Sequence, residues 1–258
     1  MAIKYQITLT YNKHYQYNRV MDSFEHFGIG HISFLAAITL IVIFAALISR
    51  KADEKATIST LRVLAVNHLV LELIQDAMLF IGDDWEIRWL LPLHLCNIGI
   101  FVNLAASFTK GRARTVFSEI SVMLIMPGAI GALLFPDWNY RAITSPVSIL
   151  CFTTHALLLL IPILMITKKI CDIRLPHIIF PIGFLAIITP PIYLIDKSLG
   201  VNYMFLQIPS DDSPLSFIYD IFSARYYVAG LFLLVTSILL IEYLIAFLIR
   251  TAVRHIRV

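Results

Sequence analysis

Three ionisable side chains recur along one short run, His68, Glu72 and Asp76, with Asn67 and Gln75 beside them. Spacing of i, i+4 and i+8 stacks the three on one face of an α-helix. Glu72 stands nine residues before Ile81, or ~13 Å along the axis at 1.5 Å per residue. An ionised, unpaired carboxylate at that depth in hydrocarbon is very unfavourable, so the stripe is expected to face protein or water. A proton relay, a ligand site and a buried polar network that locks helices together each fit it. Two further runs hold thiols and imidazoles: Trp89 to Asn97, which includes Pro92, His94 and Cys96, with Asn103 a heptad beyond Cys96; and Cys151-Phe-Thr-Thr154-His155. A thiol in an apolar site resists ionisation, and an imidazole within hydrogen-bond reach is the usual means of drawing a thiolate from it. Each residue also has a plainer reading, the cysteine as a small hydrophobe and the histidine as a hydrogen-bonded packing residue. His94 and Cys96, two positions apart, point to nearly opposite helix faces and do not form a local pair. Cys151 stands one turn from His155 on the same face, so on spacing alone it competes with Cys96 as the partner of that histidine. Cys171 falls in a polar loop and reads as a bystander. Three cysteines at scattered positions make neither a disulfide framework nor a metal-ligand pattern, so neither metal nor cofactor is expected.

The elements that must position these groups are apolar and long. A mean hydropathy of +0.82, with 59% hydrophobic and 14% charged residues in 258, is too apolar for a soluble domain of this size. The expected fold is all-α, a polytopic membrane helical bundle of seven transmembrane helices forming one domain over residues 1–258. The expected spans run near residues 29–48, 61–81, 89–108, 116–135, 145–167, 176–195 and 226–249, each close to the length that crosses a bilayer. Short connections and the lack of period-two alternation argue against a β-barrel. Pro92 is expected in the first turn of the third span, where a missing N–H costs least. Cys96 would then lie about two turns in, ~10 Å deep, and His155 ~15 Å deep from the same side.

The first 26 residues are polar and rich in tyrosine, without the basic-then-apolar order of a signal peptide, so the first helix is expected to remain in the mature protein. Loops one, three and five and the C-terminus carry 13 of the 20 Lys and Arg residues. The positive-inside rule then places the N-terminus outside and the C-terminus in the cytoplasm of a multi-pass cell-membrane protein. The net charge of +3 sits in juxtamembrane anchors, which points to anionic lipid rather than nucleic acid. The stretch 196–225, with an amphipathic run from Leu215 to Phe222, is long for a plain connection, as functional loops and lids are.

The run Leu91-Pro92-Leu93-His94-Leu95-Cys96-Asn97, the entry Phe27-Gly28-Ile29-Gly30-His31, the downstream His155, and Asn202-Tyr203-Met204-Phe205 followed by Pro209 and Ser213 together resemble the YwaF / transmembrane protein 164 family. The resemblance extends over nearly the whole chain. It implies a membrane-embedded acyltransferase that takes a fatty acyl group from a phospholipid onto a cysteine and passes it to a lysophospholipid, ether-linked in the animal members. That family is distantly similar in fold to the androgen-induced and androgen-dependent lipid-ester hydrolases, which pair a threonine nucleophile with a histidine. Carried onto the matching residues, the resemblance makes Cys96 the nucleophile and His155 the general base.

Such chemistry also needs groups that orient the imidazole and hold a tetrahedral oxyanion. Glu72 and Asp76 are the candidates for the first role, and Asn97, Asn103, His94 and Asn202 for the second. The expected partners are phospholipid and lysophospholipid substrates and membrane lipid. Transfer or hydrolysis follows according to whether a lysolipid or water reaches the acyl-enzyme first. Two other classes stay open. A small proton-coupled transporter or sensor would use His68, Glu72, Asp76 and His155; the inverted repeat with matched helix breaks that marks many transporters is not found. A non-catalytic scaffold predicts that thiol-reactive lipid analogues ignore every cysteine.

Overall fold

The computed structural model describes residues 23–82, 91–210 and 213–256, with side chains as far as residue 252. The described residues form seven helices and no strand: α1 (Ile29–Ser49), α2 (Glu54–Ile81), α3 (Leu95–Phe108), α4 (Gly111–Leu134), α5 (Pro146–Thr167), α6 (Ile179–Leu199) and α7 (Leu215–Ile256). Six of them are long and apolar enough to cross a membrane; α3, at 14 residues, is shorter.

Local chemistry sets the ends. Asp53 caps α2 by accepting the Ala56 N–H at 2.7 Å, and Glu54 adds a carboxylate at the positive end of the helix dipole. The helix therefore starts two turns ahead of the apolar run that marks its span. Ser145 caps α5 at the Ser148 N–H (3.2 Å), with Pro146 in the first turn. Gly200 closes α6 in the left-handed conformation, at φ 66°, which a residue without Cβ adopts freely. Within α4, Ser121–Ile125 widens into a π turn in which the Met126 N–H donates to the Ser121 carbonyl. Pro127 follows at once and has no N–H to continue the α pattern, so the backbone bonds shift by one residue ahead of it.

Two of the expected boundaries are corrected. The third helix begins at Leu95, so Pro92 precedes the helix instead of opening it. The residue before a proline is driven toward extended backbone, and that keeps the Leu91-Pro92 step out of a helical turn; positions 89 and 90 of the expected span lie outside the described residues. The second correction concerns residues 215–222, which are helical and lead into α7 across a break at Ser223 (φ 55°). Phe222 and Ile218 lie where a Cβ on Gly230 would stand, 2.6 and 3.0 Å from it. The first part of α7 thus folds back on the second, and only a glycine admits the contact.

α5 is the central helix, packed against α1, α2, α3 and α4, while α3 is wedged between α2, α4 and α5. The buried side chains gather around these helices, among them Phe152, Ile161 and Met165 of α5, Leu61 of α2 and the whole π turn of α4. Large apolar side chains on α1, α6 and α7, such as Leu40, Ile187 and Leu240, point outward, as side chains that face lipid do. At the end of the bundle away from the polar stripe, Lys168 Nζ donates to the carbonyls of Ser49, Arg50 and Ala52 and ties the α1–α2 turn to α5. The buried Glu119 accepts the Arg174 N–H at 3.0 Å and faces His177 Nδ1 at 2.8 Å, anchoring the α5–α6 connection.

Candidate active site

Cys96 occupies the second residue of α3, after His94 as N-cap. Its position at the helix start, instead of two turns in, follows from the late beginning of α3. The backbone N–H groups of Leu95, Cys96 and Asn97 therefore belong to the first turn, which has no intrahelical acceptors for them and carries the positive end of the helix dipole.

His155 reaches this point from α5. Its Nε2 lies 3.2 Å from Cys96 Sγ, while Nδ1 lies 2.8 Å from the Cys151 carbonyl one turn earlier. A carbonyl only accepts, so Nδ1 carries the proton and Nε2 is the bare nitrogen presented to the thiol. The Trp138 ring lies against the imidazole, with centroids 4.8 Å apart and planes at 35°. The imidazole is thereby oriented by a backbone carbonyl and an indole. Glu72 and Asp76, the residues expected to orient it, do not occupy its Nδ1. A carboxylate was the natural expectation because partner geometry across helices is not encoded in spacing along one helix.

Cys151, the competing thiol, turns away from the histidine one turn after it and donates to Gln75 Oε1 at 3.4 Å. Cys171 is buried in the α5–α6 connection, where desolvation pushes its thiol up to about 12, leaving it protonated and unreactive at neutral pH.

A cavity of about 120 Å³ joins these groups. His68, Glu72, Gln75 and Asp76 line it from α2, Cys96 and Asn97 from α3, and Cys151 and His155 from α5. The stripe and the thiol–imidazole pair, two separate features along the chain, thus form one site. Asn97 Nδ2 donates to Glu72 Oε1 in a close contact that fastens the first turn of α3 to α2. Asp76 stands exposed at the α2 end of the cavity. His94 lines it too, its ring edge-on to Tyr203 (5.3 Å) and tilted on Phe205 (5.7 Å).

Two other sequence candidates lie elsewhere. Asn103 is fully buried and accepts from Ser121 Oγ at 2.5 Å, joining α3 to the π turn. Asn202 closes its own loop, accepting the Gln207 and Ile208 N–H groups and donating to the Ile208 carbonyl. Neither lines the cavity, and neither is placed to hold an oxyanion on the Cys96 side. Among the lining residues given no role from sequence are Asp137, Trp138 and Phe205, the last within the run that carries the resemblance. Asp137 and Trp138 enter from the α4–α5 connection, and Phe205 from a loop where it and Met204 both hold φ at 55°, a backbone strain that costs ~1–3 kcal/mol per residue. The available signal was the Phe135-Pro136-Asp137-Trp138 step directly after a span, an aromatic and acidic tip on an otherwise apolar chain. Among the described residues, no group of three or more His, Cys, Asp or Glu side chains is arranged to hold a metal ion.

No curated protein and no solved structure matches the chain. The family model does match, over residues 23–245, a stretch that contains all seven helices up to the last turns of α7 and every residue of the cavity: the chain belongs to the TMEM164 family.

Proposed function

We propose that the protein is a membrane-embedded phospholipid acyltransferase working through a thioester on Cys96. The observation that carries this reading is the contact of 3.2 Å between Cys96 Sγ and His155 Nε2, with the opposite ring nitrogen tied to the Cys151 carbonyl. A tautomer held in this way makes Nε2 the base for the thiol.

In the first half-reaction the thiol proton passes to Nε2 and sulfur attacks the ester carbonyl carbon of a phospholipid. The oxyanion lies toward the first turn of α3, where the N–H groups of Cys96 and Asn97 are the available donors. The carbon–oxygen bond breaks, the imidazolium protonates the leaving lysolipid oxygen, and a thioester remains. In the second half, a lysophospholipid hydroxyl gives its proton to Nε2 and attacks the thioester. The carbon–sulfur bond breaks and the proton returns to sulfur. Water in place of the alcohol gives a fatty acid, so hydrolysis shares every step but the last.

The same reading places seven passes in the membrane, with α3 as a short one completed by its extended entry. The N-terminus lies outside and the C-terminus in the cytoplasm.

Intact-protein mass spectrometry after incubation with a diacyl phospholipid tests the chemistry. An acyl adduct is expected on Cys96, absent in Cys96→Ala, slow to form in His155→Ala and retained in Cys151→Ala. An adduct on Cys151, or product formed by Cys96→Ala, overturns the proposal.

A further inference from the structure

His68 is 1% exposed and lines the cavity, and among the described residues neither of its ring nitrogens has a hydrogen-bond partner. Trp138, also in the lining, is 4% exposed and carries an Nε1–H with no acceptor among the described residues. Buried polar atoms are paired in the great majority of cases, and each one left alone is destabilising. The cavity is well above the ~30 Å³ that one water molecule occupies in the liquid, which leaves room for part of a ligand.

The kind of group that is missing follows from what the neighbours offer. A neutral imidazole always presents one bare nitrogen, an acceptor that needs a donor. Elsewhere on the α2 stripe, Glu72 Oε1 accepts from Asn97 and Gln75 Oε1 from Cys151. The scissile ester of an acyl donor has only acceptor oxygens and suits the N–H groups at the start of α3. It gives nothing to a bare nitrogen. An alcohol does, because its O–H donates while its oxygen accepts; water can do the same, and a docked alcohol takes its place.

We propose that His68 is the docking point for the hydroxyl of the acyl acceptor, a lipid alcohol, and that this contact is what favours transfer over hydrolysis. The inference rests on the thioester reading of Cys96. His155 remains the base: the alcohol proton goes to its Nε2, the new carbon–oxygen bond forms as the carbon–sulfur bond breaks, and the proton ends on the thiol. His68 holds the alcohol within reach of the thioester in a space that water alone would otherwise occupy.

The test separates the two half-reactions in the full-length protein in detergent or vesicles. Adduct formation from diacyl phospholipid is followed by intact mass. A lysophospholipid is then added, and the ratio of re-esterified lipid to free fatty acid is measured. In His68→Leu the adduct is expected to form at the wild-type rate, with the ester-to-acid ratio falling about tenfold or more and the KM for lysophospholipid rising, as loss of a buried hydrogen bond implies. His68→Gln, which restores a donor and an acceptor, is expected to recover part of the ratio, and it serves as the reading if the leucine variant does not fold. An unchanged ratio in a folded His68 variant, or loss of adduct formation along with transfer, overturns the role of His68 while leaving the thioester reading standing. Absence of any adduct in the wild type overturns both.

Discussion

Two thiols lie near one imidazole, and a single atom decides between them. Nδ1 of His155 is engaged by the backbone of Cys151, so the residue that competes with Cys96 on spacing serves through its carbonyl, and its own thiol bonds to Gln75. The part left to Glu72 is to hold Asn97, and with it the first turn of α3. Glu72→Gln keeps an acceptor oxygen and is expected to retain most adduct formation with an unaltered pH profile. Glu72→Leu strips the Asn97 amide of its partner, at a cost of about 1–3 kcal/mol, and is expected to slow adduct formation by roughly tenfold. Adduct rates measured across pH for both variants decide this; a shifted profile in Glu72→Gln would mean that the carboxylate governs His155 after all.

At the scale of elements, α3 determines whether the site exists. Its start is delayed by Pro92, its third residue is fastened to α2 by Glu72, and its interior is fastened to the π turn of α4 by Asn103 and Ser121. Gly99, one turn beyond Cys96, is where the helices come closest. A Cβ there would stand 2.6 Å from Ile125 Cγ2 and 3.0 Å from Leu158 Cδ2. Ile125 and Leu158 are both about 1% exposed and have little room to yield. Gly99→Ala is therefore expected to destabilise the fold by about 1–3 kcal/mol through overpacking and to lower adduct formation as Cys96 moves off His155. Thermal melts beside adduct rates check both; a variant as stable and as fast as wild type would show that α3 is not held there. Six span positions were legible because a helix that crosses a bilayer needs close to twenty apolar residues. The start of α3 was not, because the tight turn around Pro92, where the Leu93 N–H donates to the Leu91 carbonyl at 2.8 Å, and a first helical turn carry the same apolar residues.

At the scale of the molecule, the described residues form six long apolar helices and one short one, with a cavity near one end of the bundle that holds the stripe and the thiol–imidazole pair, and broad apolar faces on α1, α6 and α7. In the orientation we propose from the charge asymmetry, that end lies outside and the Lys168 and Glu119 anchors lie in the cytoplasmic half. Cysteines introduced at Ile208 and Ala252, both exposed, report on this. A membrane-impermeant thiol reagent applied to intact cells is expected to label the first and spare the second until the membrane is opened. The reverse pattern, or equal labelling, refutes the orientation.

By itself the sequence determined the helical membrane class, the approximate place of the six long apolar helices, the shared face of His68, Glu72 and Asp76, and the family. These depend on composition, on a period of 3.6 residues and on the runs around Cys96 and His155, all local properties. Spacing left Cys96 and Cys151 in competition and only the resemblance favoured Cys96; tertiary structure put Cys96 against His155, and it alone decided that a carbonyl and an indole lie on the imidazole, that Asn103 and Asn202 serve packing and loop closure, and that Asp137, Trp138 and Phe205 line the cavity. Each of those facts is a contact between segments far apart in the chain. Its geometry follows from where α3 begins and how closely Gly99 lets it approach α4 and α5, which no periodicity along a single helix records.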